Sequence, residues 1–249
     1  MGVIVFNGKS SLDYHVHVSE PPEYAIPERE YETVHVSGRS GDIIIDTGAY
    51  QNVDRTYKTS MDASGSSVDY SDLATKIAAW LHPIGSGNRG YYELTDSYDP
   101  KHYRFARYQG GDSISNIFNQ AGEIDITFNC KPYKYLITGK NAQTVTNGQT
   151  LTNPCTQVAR PKITVSGSAG AVLTVGSRKV RLKVALTNLV IDSELENCYV
   201  GSTNQNSNVE LLDSSNNLIY EFPTLGVGGT TFSFSGISAC SVVPNWCDL

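Results

Sequence analysis

The sequence predicts a mainly β protein, and three observations carry that reading. Short runs of alternating apolar and polar residues recur along the 249-residue chain. Glycine (22) and tyrosine (15) are plentiful while methionine is scarce (2), which suits pleated strands joined by tight turns. One segment alone has helical periodicity.

Val3-Ile4-Val5-Phe6 reads as a strand closed by an Asn7-Gly8 turn, since both residues tolerate positive φ. Tyr14, Val16 and Val18 then alternate inward, with His15 and His17 outward. Prolines at 21, 22 and 27 punctuate the lead into a charged stretch, Glu28-Arg29-Glu30-Tyr31-Glu32. A strand over Glu32–Val36 and a turn over Ser37–Asp42 with two glycines come next. Ile43-Ile44-Ile45 is β-branched and too short for a helix, so it is expected to be a buried strand. From Val53 to Met61, Val53, Arg55, Tyr57, Thr59 and Met61 share one face, and Asp54, Thr56, Lys58 and Ser60 the other. Residues 22–61 thus form a strand–turn–strand unit that can extend from a domain and pair with a neighbour.

A helix is predicted from Asp69 to His82. Asp69 or Ser71 caps it, and Tyr70, Leu73, Ala74, Ile77, Ala78 and Leu81 make one apolar stripe. Trp80 lies off the centre of that stripe, where it can pack at the helix edge or serve an interface. Pro83 with Gly85-Ser86-Gly87 stops the helix. Strands follow at Tyr91–Leu94 and His102–Tyr108, separated by an Asp96–Pro100 turn. The cleanest alternation is Glu123–Cys130, ended by Lys131-Pro132.

The stretch 139–153 reads as a linker with a small hairpin turning at Asn147-Gly148. It would separate an N-terminal domain, 1–138, from a C-terminal β-sandwich, 154–249. The sandwich strands are expected at Lys162–Val165, Ala171–Val175, Lys179–Thr187, Leu189–Asp192, Val209–Leu212, Leu218–Phe222, Thr230–Phe234 and Ile237–Val243.

The net charge of −6, most of it in the first 140 residues, excludes a surface built to hold nucleic acid by clustered cations. The five cysteines are scattered and lack Cys-x-x-Cys spacing, so they read as small buried hydrophobes in a reducing compartment. The N-terminus lacks the pattern of a secretory signal, its Met-Gly fits an acylation motif only loosely, and no run is long enough to span a membrane. His15, His17 and His35 have no carboxylate or cysteine at ligand spacing, and Asp96 with Asp99 lacks the rest of a calcium loop. Asp192, Glu194 and Glu196 would share a strand face, too exposed to split their pKa values for acid–base work. No nucleophile or phosphate-loop motif is present, so neither enzyme activity, metal nor cofactor is expected.

Several ordered motifs resemble the distal tail (Dit) proteins of long-tailed, non-contractile bacteriophages. They are Pro27-Glu28-Arg29 with Tyr31-Glu32, then Val34 to Asp42, then Thr47-Gly48 with Tyr50 and Asn52-Val53. Gly90–Pro100, Tyr103–Arg107, Phe128–Tyr135, Arg160–Val165 and Ile191–Glu194 continue the match. Cys155 and Cys247 depart from the pattern. The resemblance implies a β-rich ring-forming domain with one helix and an extended hairpin, followed by a galectin-like sandwich. It implies a homohexameric ring at the virion tail tip, assembled in the host bacterial cytoplasm, with DNA passing through its lumen. The implied partners are the tail tube protein, the tape-measure end, the tail-associated fibre or lysin protein and the receptor-binding protein. The expected subunit interface is Glu28, Arg29, Glu30, Tyr31, Gly38, Arg39, Gly41 and Asp42, because glycines allow close backbone approach. The alternative is a carbohydrate-binding module contacting cell-wall saccharide, with Tyr199 and Tyr220 as platform residues unless they belong to the core.

Overall fold

The computed structural model describes residues 2–62, 69–83, 90–115 and 121–249. The chain forms two units, Met1–Lys134 with Leu249, and Tyr135–Asp248. No helix among the described residues is long and apolar enough to cross a membrane.

The first unit holds β1 (Ile4–Phe6), β2 (Lys9–Ser10), β3 (Val16–Val18), β4 (Arg29–Val34), β5 (Ile43–Tyr50), β6 (Val53–Asp62), α1 (Tyr70–Leu81), β7 (Tyr92–Asp96), β8 (His102–Tyr108) and β9 (Ala121–Leu136). Its main sheet runs β2-β1-β7-β8-β9-β6-β3, while β4 and β5 pair only with each other. The predicted Asn7-Gly8 turn forms with positive φ at both residues. The alternation at Val53–Met61 is real: Arg55, Tyr57, Thr59 and Met61 are all buried.

The Asp69 side chain caps α1 by accepting from the Ser71 N–H. Leu73, Ile77 and Leu81 bury as the stripe requires, but Ala78 is exposed and Trp80 is not an edge residue. Trp80 stacks on Tyr14 at 5.0 Å and its Nε1 donates to the Phe6 carbonyl. An indole is large enough to rotate the buried face of a helix toward itself. The Gly85-Ser86-Gly87 stop lies outside the described residues. Pro132 does not end β9, which continues to Leu136. The ladder with β6 has already finished at Cys130, so the missing N–H costs it no bond.

A buried ionic network crosses the core face of this sheet. Arg55 on β6 donates from Nη2 to Asp96 Oδ2 at 2.9 Å and from Nε to the Tyr57 hydroxyl at 2.7 Å. The Tyr57 hydroxyl donates to the same Asp96 oxygen at 2.6 Å. The other Asp96 oxygen accepts the N–H groups of Tyr98 and Asp99, shaping the predicted 96–100 turn. Burial raises the Tyr57 pKa well above its usual value, so the phenol keeps its proton. Burial alone would lower that of Arg55, but Tyr57 and Asp96 outweigh it and the guanidinium stays charged.

The second unit holds β10 (Gln143–Thr144), β11 (Thr150–Asn153), β12 (Lys162–Val175), β13 (Arg178–Leu182), β14 (Leu186–Asp192), β15 (Asn197–Val200), β16 (Thr203–Asn204), β17 (Val209–Leu212) and β18 (Gly228–Val243). The pairs of strands expected at 162–175 and at 230–243 are each one long strand. The first half of β12 pairs with β14 and the end of β18; its second half pairs with β13 and the start of β18. Register shifts at Gly167 divide the halves, and Gly236 opposite has φ +71°. A Cβ at Gly167 would press on the Ile237 side chain, the Ala171 Cβ and the Gly236 carbonyl, so the strands approach closely there. Two layers therefore share β12 and β18, and enclose a core of Ile163, Val165, Leu173, Val180, Ile191 and Phe232 among others.

The turn expected at Asn147-Gly148 forms, but β10 and β11 do not pair as a hairpin. Both add to β18 instead, where a long strand offers them more ladder than a two-residue partner could. Leu218–Phe222 is not a strand; it keeps one bridge, Leu212 to Leu218, with Leu218 and Tyr220 exposed. Residues 193–196 turn rather than extend, so Asp192, Glu194 and Glu196 do not line one face. Asp192 is buried, bonded to Lys162 Nζ at 3.1 Å and to the Tyr199 hydroxyl at 3.3 Å.

None of the five cysteines forms a disulfide, and all are buried. Burial pushes the Cys130, Cys198 and Cys247 thiols up to about 12 and that of Cys240 to about 11. Maleimide at pH 8 should therefore label none of them in the folded chain and all in denaturant; rapid labelling of the folded chain would contradict this placement. Asp96→Ala should cost the first unit roughly 3–5 kcal/mol by stranding the Arg55 charge. Urea unfolding followed by Trp80 fluorescence in a Trp246→Phe background measures this. A loss below about 1 kcal/mol would mean the pair behaves as a surface one.

Candidate assembly interface

The charged lead-in and the three isoleucines become the two strands of one ribbon. Glu32, Thr33 and Val34 pair with Ile45, Ile44 and Ile43. Opposed residues share a face, so Val34, Ile43 and Ile45 lie on one side, and Tyr31 and Ile44 on the other. The expectation that Ile43–Ile45 is buried is wrong: Ile44 is 65% exposed and both its neighbours are exposed. β-branching selects the strand, but among the described residues no layer lies against either face of the ribbon.

The ribbon is braced near its base. Register slips between Arg29 and Tyr31, opposite Thr47-Gly48-Ala49. Gly48, at φ +76°, supplies the backbone conformation that this bulge needs. Arg29 Nε donates to Asp46 Oδ1 at 2.9 Å, Nη1 donates to the Tyr50 hydroxyl, and the guanidinium lies 5.5 Å from the Tyr50 ring centre. The Arg29 hydrogen bond, then the Gly48 N–H, hold the Asp46 carboxyl below its usual range. The Glu30 carbonyl accepts from the Thr47 hydroxyl.

At the tip, Gly38 and Gly41 have φ of +82° and +83°, and Arg39 N–H donates to the Val36 carbonyl. His35 Nδ1 lies 3.0 Å from Asp42 Oδ1 across the mouth of the loop. The structure thus brings all eight sequence-selected residues onto one ribbon. Glu28, Arg29, Glu30 and Tyr31 lie on the outgoing arm, while Gly38, Arg39, Gly41 and Asp42 form the tip, and all are exposed.

Two roots join the ribbon to the main sheet. The return root is short: Gln51 N–H donates to the Glu28 carbonyl, and Asn52 Nδ2 donates to Tyr91 and Asn129 before β6 begins. The outgoing root, 19–28, lacks regular structure. Ser19 N–H donates to the Lys58 carbonyl, Lys58 pairs with Glu20, and Pro22 and Pro27 are buried. The Tyr24 ring lies 4.9 Å from the Arg55 guanidinium. Sequence reading missed Tyr24, Tyr57 and Asp96. The available signal was Arg55 itself, a cation in an inward-facing set that had to find partners.

No group of His, Cys, Asp and Glu among the described residues could hold a metal ion. His15, His17 and His35 form no such cluster.

Residues 9–130 match the family model of the phage tail protein RIFT-related domain. No curated protein sequence matches the chain. Among solved structures, it is similar to the SPP1 Dit protein (gp 19.1), described as a paradigm of the hub adsorption apparatus in phages that infect Gram-positive bacteria. That similarity covers 97% of both chains with a TM-score of 0.66 and 14% identity. Residues 9–130 thus match the phage tail protein RIFT-related domain, and the whole length carries a mainly β fold similar to that of the SPP1 Dit protein.

Proposed function

We propose that this protein is the ring-forming structural hub of a phage tail tip. Residues 1–138 act as the ring domain and 154–249 as an outer sandwich, with the segment between them as connector. The single observation that carries the reading is the exposed β4–β5 ribbon. A two-stranded ribbon is marginal in water on its own, and one with bare isoleucines on both faces calls for another chain to cover it. In a head-to-tail ring, each copy offers its ribbon to a different surface of the next, so the contact closes after a fixed number of copies. Glu28–Tyr31 and Gly38–Asp42 are the proposed contact residues, and a hexamer is the proposed state. The acidic balance of the first 140 residues suits a lumen through which DNA slides without being retained. The tail tube, tape-measure end, fibre or lysin protein and receptor-binding protein are the proposed neighbours, joined by contact and not by catalysis.

A second reading rests on Tyr220, which is 95% exposed and not part of the sandwich core. An aromatic ring held in water beside charged Glu221 is the kind of platform a cell-wall saccharide stacks on. Absence of binding to purified cell-wall polysaccharide, or binding unchanged by Tyr220→Ala, would remove this reading.

Light scattering over a concentration series tests the ring. The unaltered chain should give a discrete hexamer mass, and negative-stain views down its axis should show a hole. Arg39→Glu, and Gly38→Val at its positive φ, should keep the fold by circular dichroism. Both should remain monomeric at concentrations about tenfold above those that assemble the unaltered chain. Intact rings for both variants would count against the tip as the contact.

A further inference from the structure

We propose that Tyr24 is a positioning residue, a latch whose ring, seated on the buried Arg55 guanidinium, sets the direction in which the ribbon leaves the first domain. The inference rests on the ribbon's role in assembly given above. The return root needs no latch. It runs straight from Tyr50 into β6, and Asn52 ties it to Tyr91 and Asn129. One root alone leaves the ribbon free to pivot about that point, so a second fixed point decides its angle. On the outgoing side Tyr24 supplies such a point midway along the irregular segment, between the Ser19 and Glu20 ties to Lys58 and the buried Pro27.

Arg55 is built to receive it. Its side chain is 4% exposed, and its Nε and Nη2 are already committed to Tyr57 and Asp96. The guanidinium therefore cannot swing, and its flat surface is offered to the segment above. The Tyr24 ring covers it, and Arg55 Nη1 donates to the neighbouring Glu23 carbonyl at 3.4 Å. The Tyr24 hydroxyl adds a 3.3 Å bond to the Tyr98 carbonyl, on the turn that Asp96 shapes. A desolvated guanidinium holds an aromatic face more strongly than a hydrated one does. Tyr24 itself is 59% exposed, so its removal opens little of the core. This separates orienting the ribbon from folding the domain.

The test uses the full chain with Tyr24→Ala and Tyr24→Phe, read by hydrogen exchange and by light scattering. In Tyr24→Ala, amides from 20 to 34 should exchange about tenfold faster, while those of β6 and β9 are unchanged. Its assembly should shift to about tenfold higher concentration. Tyr24→Phe keeps the ring face and should behave as the unaltered chain. Three results would overturn the latch. They are exchange and assembly unchanged in Tyr24→Ala, faster exchange throughout the sheet, and a phenylalanine variant as loose as the alanine one. If the unaltered chain never assembles, the ring proposal fails instead, and the exchange measurement alone decides the latch.

Discussion

The first domain depends on one buried charge pair, Arg55 with Asp96. Their strands are not neighbours: β8 and β9 lie between β6 and β7 in the sheet. A flat sheet would set those strands roughly 14 Å apart, so the pair ties together two sides of the sheet that backbone hydrogen bonds link only through intermediates. Neither charge can be relieved cheaply. Arginine does not lose its proton in a protein, and an unpaired carboxylate in the core would have to be neutralised or hydrated. The network answers this by satisfaction, with two backbone N–H groups and a phenol on Asp96 and a phenol and a carbonyl on Arg55. Such a network specifies one arrangement more than it stabilises any arrangement. The turn after β7, the inward face of β6 and the lead into the ribbon all take their positions from it.

What was legible in the sequence follows from this division of labour. Period-two alternation reports which residues face a core, and where a core exists the reading holds, as along Val53–Met61 and Glu123–Cys130. The capped helix was legible because its stripe and its Asp69 cap agree. Apolar content without a facing layer misleads, which is why Ile43–Ile45 reads as buried and is not. Leu218–Phe222 fails for the same reason, having strand-like composition and only one bridge to a partner. Trp80 shows the converse, since one large ring overrides the smaller residues of the stripe. The eight ribbon residues proposed as contacts were picked out by their charge and glycine pattern, whereas Tyr24 was not. Tyr24 sits in an irregular segment without periodicity, and only the three-dimensional position of Arg55 gives it a role.

The second domain exposes a different limit. Glycines at 167, 170 and 236 lie in the gaps left between the strands expected at 162–165 and 171–175 and at 230–234 and 237–243. They instead mark the bend at which β12 and β18 pass from one layer to the other. A turn and a bulge need the same backbone freedom, and only the partner strand distinguishes them. The consequence is mechanical. Two layers that share their two longest strands cannot slide past each other without breaking ladders in both.

The ribbon combines properties that oppose each other in a free chain. Bare isoleucines beside unpaired strand edges invite indiscriminate pairing. Glu28, Glu30 and Glu32, with Asp42 and Asp46, place like charges along the same ribbon and so resist copies that approach in the wrong register. Arg29 is already engaged by Asp46, which leaves Arg39 at the tip as a cation with which a neighbour's acidic surface can pair. In the ring proposed above, a correctly placed neighbour would cover the apolar residues and meet the tip charge together, while a misplaced one would meet repulsion. Such selection works only if the ribbon is presented at a defined angle, because a pivoting ribbon would sample many contacts of nearly equal energy. In the proposed ring the buried Arg55 and the Tyr24 ring above it therefore belong to the same device as the exposed tip, although the arginine is buried where the tip is exposed.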